Sequence, residues 1–266
     1  MMLSKKAIGR RFGLLAAFVA ALLIACTGVV LAQSSSSSSS SSTANSGYEN
    51  TTVTPSDASQ AGAAEPLGNV SSATGDVSAA DRVPNSGFES GDFSRWNRAN
   101  QSGGFGNWVV YSGTTSPKSG FRIAAPPQGK FAATSDQTGA GSHVLYRDIH
   151  LKRNMKYELS FYLYYHNFAD RFFTPNTLDY TVDRNQQYRV DILKPTANPF
   201  TVKNKAILRT LFQTEVGDPN QLAPKLRTFN LTPFAGKTVR LRFAEVDNQL
   251  FFLASADRVR LTSHRR

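Results

Sequence analysis

The amino-acid sequence predicts an all-β protein whose folded part is an antiparallel β-sandwich, preceded by a signal segment and a disordered serine-rich linker. Three observations lead there. Beyond about residue 83, apolar and polar side chains alternate with a period of two. Gly and Pro recur between the alternating runs, and no stretch of comparable length sustains a 3.6-residue repeat. The 83–266 segment has the size of one sandwich domain, without internal repeats.

Residues 1–32 read as an export signal or an N-terminal anchor. Lys5, Lys6, Arg10 and Arg11 precede an apolar run from Phe12 through Ala32. Three processing readings stand side by side. Leu23-Ile24-Ala25-Cys26 resembles a lipobox, with Cys26 as the lipidated residue. Val30-Leu31-Ala32 before Gln33 fits ordinary cleavage, and the whole run is long enough to remain in a bilayer. Each reading places the C-terminal domain outside the cytoplasm, secreted or held at the cell surface. Cys26 is the chain's single cysteine, so the exported domain has no disulfide to rely on.

Residues 33–82 include an unbroken serine run, Ser34 to Ser42, then a stretch rich in Ala, Ser, Thr, Gly and Asp. Such a composition buries too little surface to offset its ordering entropy, which makes it a disordered tether with a reach of about 40 Å. From Val83 to Arg266 there are 25 Lys and Arg against 14 Asp and Glu, so the folded part is basic.

The strands follow from the alternation. In Lys156 to His166, Tyr157, Leu159, Phe161, Leu163 and Tyr165 take one face, leaving Glu158, Ser160, Tyr162, Tyr164 and His166 on the other. Val239, Leu241 and Phe243 alternate with Arg240, Arg242 and Ala244, and Tyr188, Val190 and Ile192 with Arg189, Asp191 and Leu193. Further candidates are Trp108 to Tyr111, Lys130 to Thr134, His143 to Leu151, Ala206 to Gln213, Leu226 to Leu231 and Arg258 to Leu261. The run Leu250 to Leu253 reads equally as a short buried strand or an apolar loop tip.

Two stretches carry a family resemblance. The first, Asn85 to Trp96, is a strand-and-turn opening with Phe88, Glu89 and Trp96, and the second, Ala256 to Leu261, leads from Asp257 into a final strand. Together they resemble the galactose-binding-like jelly roll shared by many carbohydrate-binding modules and bacterial surface proteins, over residues 83–266. The resemblance implies that the first and last segments lie side by side, and that a structural calcium ion joins them. Carried onto this chain, the metal carboxylates are Glu89 and Asp257, with Asp136 as a third. The alternative is that these acids cap turns or pair with Arg258.

Two constellations bear on ligands. Tyr162, Tyr164 and His166 share one strand face and lead into a loop of about 20 residues, a length that is uncommon unless the loop is functional or disordered. Asn167, Asp170, Asn185, Gln186 and Gln187 add the carboxylate and amides that bond sugar hydroxyls, while aromatic rings stack on sugar C–H faces. The competing reading is that these aromatics are core. The second constellation is basic: Arg189, Arg209, Arg227, Arg240 and Arg242 fall at polar strand positions, where a shared solvent face would attract acidic polymers. The competing reading has them paired with Asp191 or Glu158.

No Gly-x-Ser-x-Gly elbow, His-Glu-x-x-His, P-loop or nucleic-acid motif occurs. The sequence therefore predicts a non-enzymatic surface binding module whose partner is an extracellular glycan. The first alternative is an adhesive protein holding acidic surface polymers, and the second is a glycoside hydrolase using a pair such as Asp170 and Asp183. No specific nucleic-acid partner is expected.

Overall fold

The computed structural model describes residues 83–265. The expected signal segment, the lipidation at Cys26 and the linker lie outside the described residues. Ten strands form two five-stranded antiparallel sheets. In chain order they are β1 (Asn97–Asn100), β2 (Asn107–Tyr111), β3 (Ala132–Asp136), β4 (Gly141–His150), β5 (Met155–Asn167), β6 (Gln186–Leu193), β7 (Ile207–Gln213), β8 (Gln221–Asn230), β9 (Thr238–Asp247) and β10 (Phe252–Arg265). One sheet runs β1-β4-β9-β6-β7 and the other β2-β3-β10-β5-β8. The expected all-β, antiparallel sandwich is the fold observed.

The core is made by the alternation seen in the sequence. Tyr157, Leu159, Phe161, Leu163 and Tyr165 of β5 meet Val239, Leu241 and Phe243 of β9 and Tyr188, Val190 and Ile192 of β6. Phe243 sits at the centre, with ring centroids 5.2 Å from Phe161, 6.2 Å from Trp96 and 6.3 Å from Trp108. Aromatic packing of this kind adds to the burial of large apolar area and takes the place of cross-links.

Besides β1, which the sequence reading did not include, three elements differ from expectation, each for a local reason. Asn85 to Trp96 is a chain of tight turns and not a strand, with left-handed φ at Asn85 (51°), Phe88 (59°) and Arg95 (70°). It still lies against the last strand, where the Val259 N–H donates to the Ser86 carbonyl at 2.8 Å. The final strand starts at Phe252, six residues before the expected Arg258, because a register shift between Asp257 and Arg260 interrupts its alternation. β8 starts at Gln221 and includes Pro224, which is tolerated because β8 is an edge strand and the missing N–H breaks no ladder bond.

Both outer faces are partly covered by loops. On the β5 sheet, the β2–β3 connection packs Phe121, Ile123 and Ala124 with Tyr111, Tyr164 and Leu253. On the β9 sheet, Leu178, Phe200 and Val202 lie with Val144, Ala244 and Val246. Every residue of β6 is buried as a result. Replacing Phe243 by Ala is expected to remove about 3–5 kcal/mol of stability. Urea unfolding would show this as a lower midpoint at unchanged slope.

Candidate ligand-binding and cation sites

The Tyr162, Tyr164 and His166 side chains do share the outer face of the β5 sheet. Tyr164 is buried there, its hydroxyl 2.6 Å from that of Tyr111, which in turn donates to the Ala124 carbonyl at 2.7 Å. Tyr162 packs against the same cluster. His166 is partly exposed and stacks on Phe168 at 4.0 Å, and Phe168 meets Phe121 at 4.5 Å. The face is thus half core and half open. The open half is a cleft of about 460 Å³ lined by Tyr164, His166, Thr114, Arg122, Gln221 and Pro224. Thr114 and Arg122 come from the β2–β3 connection and Gln221 from the start of β8, so no sequence period linked them to β5.

The loop amides do not join this cleft. Asn185 and Gln187 belong to the outer face of the other sheet, on the far side of the sandwich. Asn185 Nδ2 donates to the carbonyls of Thr177 and Asp179, and Gln187 Nε2 to those of Pro175 and Thr177. Their chemistry is spent on shaping the long loop. Asn167 points inward, where its Oδ1 accepts from Gln186 Nε2 at 2.8 Å and its Nδ2 donates to Asn220. Asp170 is exposed in a separate shallow cleft with Arg171, Phe173 and Arg184. Of the eight expected ligand residues, only Tyr164 and His166 share a cleft. The loop's Phe172 is core, 5.4 Å from Tyr165 and 5.5 Å from Phe252.

The five strand arginines do not share one solvent face, and the paired reading holds for two of them, Arg189 and Arg242 with Asp191. Arg189 and Arg242 are buried beneath the β6–β7 connection, and both bind Asp191. Arg189 donates to both Asp191 oxygens, at 2.8 and 2.9 Å. Arg242 also donates to the carbonyls of Pro199 and Thr201, each at 2.7 Å. Burial pushes the Asp191 carboxyl up, but the bonds and charges of the two guanidinium groups outweigh it and hold the acid below the usual carboxylate range. Arg240 pairs with Asp148 at 2.7 Å near the surface. Of the five, Arg209, on an edge strand, is exposed, and Arg227 and Arg240 are half-buried.

Two of the three expected metal carboxylates converge. Around Gly87, a Cβ atom would lie 3.0 Å from Gln128 Oε1, 3.6 Å from Asp257 Oδ1 and 3.5 Å from Glu89 Cγ. Glu89 accepts from the backbone N–H groups of Lys130 and Phe131, and Asp257 from those of Gln128 and Arg258. Gly129, at φ 69°, has to be glycine, because a Cβ there would lie 2.3 Å from Glu89 Oε1. Burial, with a smaller push from Glu89, raises the Asp257 carboxyl to about 7. Asp136 is elsewhere: it pairs across β2 with Asn107, and its carboxylate accepts from the N–H groups of Lys118 and Ser119. Gln128, unforeseen from sequence, supplies a third oxygen.

No family profile matches the chain, and no curated protein matches it. Among solved structures it is similar to the carbohydrate-binding module TmCBM61 in complex with β-1,4-galactotriose, at 13% identity and TM-score 0.44, over 71% of this chain and 100% of that one. It is also similar to the K3 cleaved adhesin domain of Lys-gingipain from Porphyromonas gingivalis W83, at 16% identity and TM-score 0.41, covering 67% and 95%. A Stig cyclase from Fischerella sp. TAU aligns at 19% identity and TM-score 0.40, covering 71% and 98%. What those proteins bind or catalyse belongs to them.

Replacing Asp191 by Ala leaves two buried guanidinium groups without their counter-ion, so a loss of about 3–5 kcal/mol is expected. Chemical denaturation would show it. Asp191→Asn, which keeps one acceptor, should lose less.

Proposed function

We propose that this chain is a non-catalytic, extracytoplasmic binding module that holds a glycan in the cleft beside His166. The carrying observation is the composition of that cleft. An imidazole face already stacked on Phe168 lies beside Arg122, Gln221 and Thr114, three polar groups that bond hydroxyls. Sugar rings need this combination, because their C–H faces stack while their hydroxyls demand directional partners. The export signal and serine-rich tether read from residues 1–82 would display such a module at the cell surface. The buried setting of Arg189 and Arg242 weighs against the reading in which a basic face holds acidic polymers.

The resemblance to galactose-binding-like domains supports a structural calcium ion, and the donor set fits one. Glu89, Asp257 and Gln128 offer only hard oxygens, and calcium takes six to eight of these, backbone carbonyls included. The ion's contribution would be to balance the two carboxylates and fasten the N-terminal turns to β10. It has no part in chemistry.

Two measurements check these readings. Arg122→Ala combined with His166→Ala should weaken glycan binding by at least about tenfold, the loss expected for one or two hydrogen bonds plus a stacking contact, at nearly unchanged melting temperature. A glycan array that stays blank for the wild-type protein in calcium would sink the proposal. For the cation, the folded Asp257 binds its proton more tightly than the unfolded chain, whose value is 3.8. Without calcium, Asp257 should therefore contribute a loss of stability as pH rises from about 4 to about 7, and the buried Asp247, raised to about 9, should extend the fall beyond it. Calcium should flatten the Asp257 share of that slope, and Asp257→Asn should remove both that share and the calcium response.

A further inference from the structure

At one end of the sandwich interior, three titratable side chains face one another with nothing to neutralise them. His143 of β4 is directly opposite Glu245 of β9, and Gly141 is opposite Asp247. His143 and Glu245 point to the same inner side as Leu145 and Phe243, and Asp247, two residues along, does the same. All three are buried, at 0%, 0% and 2% exposure, and one donor atom from each lies within 4.8 Å of the others.

Their hydrogen bonding is incomplete in an ordered way. Neither oxygen of Glu245 has a hydrogen-bond partner, and neither does His143 Nε2. The Ser135 hydroxyl adjoins Glu245 and the Phe105 carbonyl adjoins His143, but neither reaches hydrogen-bond geometry. The other imidazole nitrogen, Nδ1, lies 3.1 Å from Asn100 Oδ1. In the tautomer with Nδ1 donating to that oxygen, the Nε2 lone pair is free to bind an ion. One oxygen of Asp247 accepts from the Gly141 N–H at 3.1 Å. Gly141 has no Cβ, and one there would lie 2.4 Å from His143 Nε2. A buried carboxylate with two idle oxygens is heavily penalised unless a cation or a proton compensates it.

We propose that His143 Nε2, Glu245 and Asp247 form a binding site for a divalent transition-metal ion of the zinc, manganese or iron(II) class. One imidazole nitrogen with two carboxylates suits those ions better than calcium, which takes oxygen alone. Gln137, whose side chain adjoins Asp247, also has its Oε1 buried without a partner. Entry is through a cleft of about 210 Å³ that has Asp247 in its wall, with Thr138, Gly139, Ala140, Asn248 and Leu250 around it. Phe105, 61% exposed, packs over Gly139 beside it. This site lies in the sandwich interior and is separate in residues and donor chemistry from Glu89, Asp257 and Gln128.

The test is zinc titration of the full chain by calorimetry, after chelator treatment and with calcium in excess so that oxygen-only sites are saturated. One equivalent of zinc is expected, together with a higher melting temperature. Glu245→Gln should abolish that binding and raise the melting temperature of the metal-free protein, because it removes an uncompensated buried acid. Asn100→Ala, at an exposed position on β1, should weaken zinc by about 10- to 100-fold through loss of the imidazole's orienting partner. Glu89→Gln should leave zinc binding unchanged. X-ray absorption of the zinc-loaded wild type should show one imidazole among oxygen scatterers, a readout that stands even if Glu245→Gln does not fold. The proposal falls if zinc, manganese and iron(II) all fail to bind stoichiometrically, which would mean that the carboxyls hold protons instead. It also falls if Asn100→Ala binds like wild type or the absorption shell contains no imidazole.

Discussion

Burial of both faces of the central strands is the constraint on which the other features depend. β6 is buried at all eight positions, and β9 at all but its first and third. A sheet with one wet face can place any polar residue at alternate positions, because water satisfies it. Here loops cover much of each outer face, so a polar side chain on β6 or β9 must find a protein partner or an ion. Asp191 solves this with two arginines and Gln187 with loop carbonyls. Neither oxygen of Glu245 has a hydrogen-bond partner, and that is what makes its surroundings a candidate ligand site.

The covering loops therefore do more than connect strands. The β2–β3 connection seals Tyr111 and Tyr164 beneath it, yet stops short of His166, and the cleft is the space left between that connection and the start of β8. The long β5–β6 connection folds over the opposite sheet, held by amides from Asn185 and Gln187. The two connections leave by different faces, so residues adjacent in sequence at the end of β5 separate to opposite sides of the sandwich.

Two pairs of like-charged acids lie at different places in the domain, and their donor sets differ in kind. Glu89 with Asp257 gathers oxygens only, at the seam between the N-terminal turns and β10. The register shift after Asp257, with φ 47° at Arg258, turns the chain back toward the Gly87 turn. Glu245 with Asp247 gathers an imidazole and sits within regular β4–β9 pairing. A chain whose single cysteine, Cys26, precedes the sandwich has no disulfide there, so its stability rests on the aromatic core and on buried polar pairing.

Sequence by itself determined the fold class, most of the strands and the inward set of β5, β6 and β9, because strand alternation is a local property that survives into the sheet. That Glu89 and Asp257 stand near each other came from the family resemblance and not from any local pattern, and the same resemblance grouped Asp136 with them, which lies elsewhere. The sequence missed β1, whose residues Asn97 to Asn100 carry no apolar rhythm, and the early start of β10, where the bulge breaks the rhythm. What only the tertiary structure decided was which outward positions stay wet. Arg242 and Tyr164 look like surface residues by period, yet loops from elsewhere in the chain bury them. His143 and Glu245 lie about a hundred residues apart and become facing neighbours only through strand register. Register and loop coverage are long-range outcomes of packing, and a local pattern of apolar and polar residues does not encode them.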